Sequence, residues 1–509
     1  MLEANDKEEE TLPSSSTRPS KKRIREDQND HAIGGMRNPA IAVARLHQVQ
    51  RVGQQISDTW AVFAGDHPEV LDAAKSYGSR EAKIDVELLD AWRNRLQELL
   101  EKKPMDGISL KEQVEFASPL NAALWDAWRM ASRDPEQYIG QWAREGVPLG
   151  MDMEVPASGI YPTVDPQEPL ETKMDMAELK NLRNYESVET QKEEASIEVD
   201  RYLKKGFCRV LSWEELHERF PEGTASRLTL IMKQKPDGST KRRIVIDMKR
   251  SRGNDRANIK ERIVLPRAQD IVESLRVMRS RERELRGRDS ERSILKSSKA
   301  FKDTEVEFCL LDLQDAFCHF GVHRTELKHC VSPGLESGTG ILWVAMLFGF
   351  KGAPLIMGRL SAAIGRLIQS MFHPAAAQTQ VYIDDVALML RGSQQCRDLN
   401  LAKVLYVLAA FGVQVAMEKG ERGQRVQWIG TTFELIPKLC GPRSTGENDR
   451  RSERHPGLLD QEGHDTHEGI EILLGEVGLD RGDHTEIEMD GDCNVRRAHE
   501  GAQRRRQGA

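Results

Sequence analysis

Apolar residues recur at three- and four-residue steps in the first part of the chain. The clearest runs are LLDAWRNRLQELLEKK at 88–103 and PLNAALWDAWRMASRDPEQYIGQWAREG at 119–146. This spacing puts the apolar side chains on one face of an α-helix, and it predicts a helical N-terminal region over 38–146. Five of the eight tryptophans lie there, and we interpret them as core residues: Trp60, Trp92, Trp125, Trp128 and Trp142.

The middle of the chain has a different pattern. RLTLIMKQKPDGSTKRRIVIDMKR at 227–250 contains two strand-like runs joined by Pro-Asp-Gly. Such a turn between two runs predicts a β-hairpin, here with a basic tip. Strand-like and helix-like runs then alternate from 308 to 435. The pattern therefore predicts an α+β fold for this part of the chain.

Three other segments lack a periodic pattern. Residues 1–37 are rich in polar residues with almost no aliphatic ones, so we expect them to be disordered. Residues 147–185 begin with a stretch containing five prolines within 147–169, which is typical of a linker or an extended strap. No Phe, Tyr or Trp occurs after Phe433, so 436–509 is predicted to be a disordered tail, or one read in a shifted frame.

Charge and composition indicate where in the cell the protein is located and in what state its cysteines are. No apolar run of about 18 residues occurs, and the acidic N-terminus lacks the apolar stretch of a signal peptide, so we expect an intracellular protein that does not enter membranes. The basic cluster KKRIR at 21–25 leaves a nuclear location open beside a cytoplasmic one. The seven cysteines are scattered without zinc-site spacing, and we interpret them as free thiols.

The net charge is unevenly distributed along the chain. The formal total is −7, yet residues 241–302 contain 20 Lys and Arg against nine Asp and Glu, a local charge of +11. A basic face on an acidic protein is a candidate footprint for a polyanion such as nucleic acid. A solvated surface is the other interpretation, and both stay open at this point.

Two adjacent aspartates, Asp384 and Asp385, interrupt the strand-like run VYIDDVALML at 381–390. Neighbouring residues on a strand point to opposite faces. One carboxylate is therefore expected to be the main ligand at a site, and the other to support it. Burying carboxylates is costly unless a cation compensates them, and Mg²⁺ prefers hard oxygen ligands. FCLLDLQDAFCHF at 308–320 supplies Asp312 near the end of another buried strand. Two strands that bring aspartates to one sheet edge can hold two metals about 3.5–4 Å apart, as phosphoryl transfer requires.

These residues belong to an ordered series of motifs. The series resembles the palm of reverse transcriptases, and its members are LDLQDAF at 311–317, LFGFKGAP at 347–354 and YIDD at 382–385. Flanking segments look like the fingers and the last palm strands of that family: RIVIDMKR at 243–250, LPRAQDI at 265–271, FGVQVAMEKG at 411–420 and VQWIGTTFEL at 426–435. The resemblance is closest to reverse transcriptases of long-terminal-repeat and tyrosine-recombinase retrotransposons.

The resemblance implies a right-hand polymerase, with fingers and a charged insertion over 186–305 and a palm over 306–435. It implies catalysis by Asp312 and Asp384, which would bind two Mg²⁺ ions with help from Asp385, and Mn²⁺ could replace Mg²⁺. The expected partners are an RNA or DNA template with its primer, and deoxynucleoside triphosphates (dNTPs). The oligomeric state is left open.

The resemblance also implies a nucleotide site. The backbone at Leu313, Gln314, Asp315 and Ala316 would face the triphosphate. Phe317 would lie beneath the sugar, where its ring rejects a 2′-hydroxyl. Further residues expected to contact the nucleotide are Arg243 with Lys233 or Lys235 at the phosphates, Phe348 near the templating base, and Lys419 as a general acid at the leaving pyrophosphate. Asp315 has a second interpretation as a structural ion-pair partner.

The chain departs from the family after Leu435, where the pattern stops without a recognisable thumb or ribonuclease H region. We therefore expect low processivity or no activity. A catalytically inactive remnant that keeps the palm fold and binds nucleic acid is the alternative function. An RNA-dependent RNA polymerase is a third hypothesis. It is disfavoured because such enzymes more often have glycine directly before the paired aspartates, where this chain has Ile383, and because the ring of Phe317 disfavours ribonucleotides.

Overall fold

The structure is a computed structural model that describes residues 46–101, 115–165, 174–175, 182–234, 238–287, 305–437, 470–476, 485–489 and 495–497. The segment 1–37 lies outside the described residues, and so do the larger part of the charged insertion and most of the tail. The disorder expected of 1–37, and of those parts of 436–509 that lie outside the described strands, therefore stays a prediction.

The N-terminal part of the described chain is helical. Its helices are α1 (His47–Asp66), α2 (Leu71–Lys75), α3 (Val86–Leu100), α4 (Ala122–Ser132) and α5 (Ile139–Glu145), with a 3₁₀ turn at Pro68–Val70. Two of these helices have a side-chain cap at the N-terminus. Asp85 accepts a hydrogen bond from the backbone N–H of Leu88 in α3, and Asn121 accepts one from the backbone N–H of Leu124 in α4. Such caps satisfy amide groups that have no partner within the helix.

Mixed helices and strands follow. The elements up to residue 287 are β1 (Met174–Asp175), α6 (Glu186–Glu189), α7 (Lys192–Lys204), β2 (Cys208–Ser212), α8 (Trp213–Arg219), β3 (Glu222–Gly223), β4 (Leu228–Gln234), β5 (Thr240–Ile246), α9 (Gly253–Arg256) and α10 (Ala268–Gly287). β4 and β5 pair antiparallel, which confirms the predicted hairpin.

The remaining elements alternate as the sequence pattern indicates. They are β6 (Glu305–Asp312), β7 (Val331–Pro333), β8 (Thr339–Trp343), α11 (Ala353–Ser370), β9 (Ala377–Tyr382), β10 (Asp385–Gly392), α12 (Gln394–Ala410), β11 (Glu421–Gly423), β12 (Arg425–Trp428) and β13 (Thr431–Pro437), with β14 (Ile470–Glu476), β15 (Thr485–Met489) and β16 (Val495–Arg497) in the tail. Three 3₁₀ turns lie at Ala316–His319, Arg324–His329 and Met417–Lys419. The mixed helices and antiparallel sheets confirm the predicted α+β class.

The strands form several separate sheets. Four strands in the order β11-β6-β10-β9 make the central antiparallel sheet. β2-β8-β7 form a second sheet, which joins residues on both sides of the expected boundary at 305/306. The tail strands extend a third sheet, β12-β13-β14-β15-β16. Because β2 pairs with β8, the two regions separated by that boundary share backbone hydrogen bonds.

Each face of the central sheet is covered by a different hydrophobic cluster. In β6, Cys309 and Leu311 belong to the large cluster that includes α11 and α12, whereas Phe308 packs with α10 and β13. This is the alternation expected of a strand buried on both faces. The large cluster runs from Val49 to Met417, so the N-terminal helices and the central sheet share one core.

Helix α11 is buried along almost its whole length, and its buried residues include two arginines. Arg366 makes a bidentate ion pair with Asp134, with N–O distances of 2.6 and 2.7 Å. Arg359 makes the equivalent pair with Glu136, at 2.7 Å for both contacts. Both acids come from the loop between α4 and α5, so the N-terminal region compensates charges buried on the central helix. None of the described helices is long and apolar enough to cross a membrane.

Candidate active site

The turn between β9 and β10 presents the paired aspartates. Tyr382 and Asp385 are the last paired residues, so Ile383 and Asp384 form a two-residue turn. Ile383 has a positive φ of 53°, which is unfavourable for a β-branched residue. The Ser361 hydroxyl on α11 donates a hydrogen bond to the Ile383 carbonyl and holds the turn. Strain that the surrounding structure maintains in this way is typical of functional sites.

The structure brings the three predicted aspartates to one end of the central sheet. Asp385 lies directly opposite Asp312 on the neighbouring strand. Directly opposed residues share a face of the sheet, with Cβ atoms about 4.5–5.5 Å apart. The backbone N–H of Leu313 donates to the Asp384 carbonyl at 3.0 Å, which ties the turn to the end of β6. Strand pairing therefore sets the relative positions of all three aspartates.

A cleft opens beside the opposed pair. Its volume is about 180 Å³, and it lies between the central sheet and the β12–β13 hairpin. Asp312, Asp385 and Lys419 line one side, and Trp428 and Ile429 line the other. The cleft thus combines hard oxygen donors, a cation and an apolar wall.

Two carboxylates of the site, those of Asp384 and Asp385, have raised pKa values. Burial, followed by the negative charges of Asp384 and Asp312, raises the pKa of Asp385 from 3.8 to about 6. The pKa of Asp384 is also raised, chiefly by burial and then by Asp312. Lys419 forms an ion pair with Asp312, with 2.6 Å between Nζ and Oδ2. The site therefore combines partly buried carboxylates with a single direct ion pair, a donor set that suits a cation.

Replacing Asp385 by asparagine is expected to stabilise the protein at neutral pH. A folded-state pKa above the ordinary value means that the folded chain holds this proton more tightly than the unfolded chain. Wild type therefore loses stability as the pH rises from about 4 to 6, and the variant does not share that loss. After allowance for solvent screening of this half-buried group, we expect a gain of about 1 kcal/mol above pH 6.

Urea denaturation of wild type and the Asp385→Asn variant at pH 4 and pH 7.5, in chelator-treated buffer, checks this expectation. Asp90→Asn, an exposed acid on α3, is the matched control. An advantage for Asp385→Asn that is equal at both pH values would contradict the raised pKa.

Lys233 and Arg243, which are predicted to contact the phosphates of the nucleotide, lie on the β4–β5 hairpin. Its register pairs Lys233 with Lys241, and Ile231 with Arg243. Opposed pairs two positions apart share a face, so these three cations lie on one side of the hairpin. The positive charges of Arg243 and Lys241 counteract the raised pKa of Asp384, which puts that face within electrostatic range of the site. Lys235 lies outside the described residues.

Lys241 is a cation of this face that the sequence interpretation did not include. It is two positions before Arg243 on the same strand, and strand alternation could have identified it. Arg242, between them, lies on the other face and forms an ion pair with Glu194.

The segment after Asp312 leaves the sheet in a sharp turn. Leu313 bridges to Val415, and the N–H of Gln314 donates to the Gln414 carbonyl at 2.8 Å. Asp315 has a positive φ of 46° and is followed by the 3₁₀ turn that contains Ala316 and Phe317.

Ion pairs anchor Asp315 to helix α7 and the residue after it. Arg201 contacts it at 3.0 Å, and Lys205 contacts its second oxygen. Burial alone would raise the pKa of Asp315, but hydrogen bonds from Lys205 and Arg201 lower it below the ordinary value. These contacts favour the interpretation of Asp315 as a structural partner. Sequence reasoning missed both cations because they are more than 100 positions away.

Phe317 and Phe348 meet at the edge of the site. Their ring centroids are 4.3 Å apart at an interplanar angle of 47°, and Phe348 is 46% exposed while Phe317 is buried. Gly349 explains how the loop reaches this position, because a Cβ there would lie 2.2 Å from the Ile246 carbonyl oxygen. Close packing of Gly349 against the end of β5 thus fixes the loop that carries Phe348, and the exposed ring of Phe348 lies against Phe317.

A second acidic cluster lies outside the predicted site. Among the described residues, it is a group whose side chains are close enough together to be considered as metal ligands. Asp152, Glu326 and His329 place ligand atoms within 4.8 Å of one another. Backbone N–H groups of Leu149, Met151, Asp152 and Met153 all donate to Glu326. Lys328 contacts Asp152 at 2.9 Å. We interpret this cluster as an anchor for the chain at 149–153, because its oxygens already have donors.

Asp312, Asp384 and Asp385 do not bring their oxygens within that mutual distance. Their charges repel one another, and Lys419 holds Asp312. The donor set nevertheless suits a divalent cation, since it consists of hard carboxylate oxygens, and the pKa values of Asp384 and Asp385 are raised by burial and then by neighbouring carboxylates.

The chain has weak similarity to solved structures. Foamy viral protease–reverse transcriptase in complex with double-stranded DNA is 16% identical with a TM-score of 0.34, covering 52% of this chain and 45% of that one. The same enzyme from prototype foamy virus is 18% identical with a TM-score of 0.32, covering 49% and 26%. The chain thus spans less than half of these proteins. No protein-family model and no curated protein matches it.

Proposed function

We propose that this chain is an RNA-directed DNA polymerase that transfers a nucleotide from a dNTP to the 3′-hydroxyl of a primer. The observation that carries the proposal is the register that sets Asp312 opposite Asp385, beside the turn that presents Asp384. A cleft with Lys419 on its wall and a basic hairpin within electrostatic range complete the arrangement. Neutralising and positioning a phosphoryl group requires such a combination of charges.

In this proposal Asp312, Asp384 and Asp385 hold two Mg²⁺ ions, or Mn²⁺ in their place. When bound, the metal supplies charge stabilisation for the attacking and leaving oxygens. The aspartates require their carboxylate form for that task, so the raised pKa of Asp385 makes metal binding weaker below pH 6.

The hairpin face and the turn after Asp312 bind the nucleotide in this proposal. Lys233, Lys241 and Arg243 attract the β- and γ-phosphates, with Lys235 as an alternative contact. Lys419 donates a proton to the leaving pyrophosphate, for which its position in the cleft is suitable. The backbone at 313–316 faces the triphosphate. Phe317 excludes a 2′-hydroxyl, and the exposed ring of Phe348 meets the templating base.

The alternative function is a catalytically inactive remnant that binds nucleic acid. The observation that favours it is the wider spacing of the three aspartates, together with the ion pair that holds Asp312 on Lys419. The basic stretch 241–302, with its local charge of +11, would supply the binding surface.

Primer extension on poly(rA)/oligo(dT) with dTTP and Mg²⁺ tests the proposal. We expect extension by wild type and by the surface control Asp90→Ala, and none by Asp384→Ala. Indistinguishable signals from wild type and Asp384→Ala would eliminate the enzyme hypothesis. Retained binding of the labelled template-primer without extension by wild type would support the inactive remnant.

A parallel reaction with UTP in place of dTTP tests the substrate class. The buried ring of Phe317 predicts that dTTP is used and UTP is excluded. Preferential incorporation of UTP would instead identify an RNA polymerase and would remove the role given to Phe317.

A further inference from the structure

The segment that carries Lys419 contacts β6 at two places, Asp312 and Leu310. Before the turn, the N–H of Ala416 donates to the Asp312 carbonyl at 2.9 Å. After the turn, Glu421 pairs with Leu310. Between these attachments the 3₁₀ turn Met417–Lys419 leaves the sheet. The Lys419 side chain is 59% exposed, so the backbone of this turn is the main restraint on its approach to Asp312.

Tyr77, from the loop after α2, fills the space beneath that turn. The residue is 6% exposed, and its hydroxyl donates a hydrogen bond to the Leu310 carbonyl at 2.7 Å. Its ring packs against Gly420 so closely that a Cβ on Gly420 would lie 2.2 Å from two ring carbons. One side chain therefore contacts both the strand that ends at Asp312 and the residue next to Lys419.

Gly78 adds a backbone contact to the same turn. Its N–H donates to the Met417 carbonyl at 3.0 Å. Its φ is +86°, and a Cβ at this position would lie 2.5 Å from the Gly420 carbonyl oxygen. Arg422, at the other end of the turn, donates to the Ala74 carbonyl at 2.9 Å. The end of α2 and the loop after it thus contact the Lys419 turn and the strand that follows it at three points, Ala74, Tyr77 and Gly78.

We infer that Tyr77 is a positioning residue that sets Lys419 against Asp312 for nucleotide transfer, so that the N-terminal helical region contributes to the active site. This inference rests on the proposed polymerase function. Tyr77 touches neither substrate nor reacting atoms in this role, and it acts through the backbone at Leu310 and Gly420. Small displacements of a group that takes part in the reaction lower the rate more than they lower affinity.

Tyr77→Phe tests the hydroxyl, because it keeps the ring on Gly420 and removes the hydrogen bond to Leu310. We expect kcat for primer extension to fall about threefold to tenfold, with the KM for dTTP within about twofold of wild type. The matched control is Tyr406→Phe. Tyr406 is also buried between the N-terminal helices and the sheet region, with a hydroxyl that bonds the backbone of Asp85, away from the site. It should leave kcat unchanged.

Gly420→Ala and the double variant Gly420→Ala/Tyr77→Ala test the ring. The added methyl group clashes with the Tyr77 ring in the single variant, whereas the double variant has room for it. Tyr77→Ala alone completes the cycle, because removing this buried ring is costly in itself. The loss of thermal stability caused by Gly420→Ala should therefore be smaller in the Tyr77→Ala background than in wild type. An equal or larger loss in that background would overturn the packing on which the inference depends.

Hydrogen exchange gives a readout that does not need activity. Peptides covering 415–421 should exchange faster in Tyr77→Phe than in wild type or Tyr406→Phe. An inactive wild type with this exchange pattern would defeat the polymerase function and leave the support of the turn established. An active wild type in which Tyr77→Phe and Tyr406→Phe have the same kcat would overturn the positioning role itself.

Discussion

Asp312→Asn and Asp384→Asn should each lower primer extension by at least about a thousandfold, whereas Asp385→Asn should lower it less. Asparagine keeps the shape of the side chain and removes its negative charge. In the proposed site Asp312 and Asp384 would both hold the two metal ions, so losing either carboxylate would remove charge on which the whole reaction depends. Asp385 assists, and its pKa of about 6 means that its carboxylate is protonated more readily than that of an ordinary aspartate.

Single-nucleotide addition by each variant, at saturating template-primer and at pH 8, measures this order. Circular dichroism and thermal unfolding establish that the variants are folded, and Asp90→Asn controls for an acid-to-amide change on the surface. A loss at Asp385 as large as that at Asp384 would contradict the assigned order. Full activity in all three variants would contradict the catalytic site.

Arg366→Met should lower the free energy of unfolding by about 3–5 kcal/mol. Arg366 is fully buried on α11, and it forms its bidentate ion pair with Asp134, which is also buried. Methionine has a similar length, so the variant preserves packing while leaving the carboxylate of Asp134 buried without its cation. Uncompensated charge is costly in a core because water cannot reach it.

The double variant Arg366→Met/Asp134→Leu should recover most of that loss, since neither charge remains. Arg93→Met, which removes an exposed ion pair with Asp90 on α3, is the matched control and should have a much smaller effect. Urea denaturation at neutral pH measures all three. Equal losses in Arg366→Met and Arg93→Met would show that the buried pair adds little to stability.

The ion pairs of α11 bear on how the chain is organised. A division into a helical region over 38–146 and a palm over 306–435 follows from changes in sequence pattern. In the structure, Asp134 and Glu136 from the first segment neutralise arginines of the second. Trp60 packs on Tyr406 at 5.5 Å between ring centroids. We therefore expect that removing the N-terminal helices would expose both arginines and much of the core.

Several features of the site were predictable from the sequence because they are local. The paired aspartates interrupt an apolar strand, and Asp312 follows another apolar run, so both positions stand out against their neighbours. Strand alternation would also have placed Lys241 beside Arg243. Arg201 and Lys205 could not be found in this way, because a surface helix contains many cations and no local pattern shows which of them meet Asp315.

The strands and helices around the site and its three acidic positions follow from local sequence, because side-chain periodicity and the cost of burying charge act over a few neighbouring residues. Local sequence does not predict that Asp385 lies opposite Asp312, or that Tyr77 and Asp134 support elements more than 200 positions away, and these arrangements appear first in the folded chain. Those arrangements depend on strand register and on close packing between distant segments, and the energy of such contacts is not recorded in any local stretch of sequence.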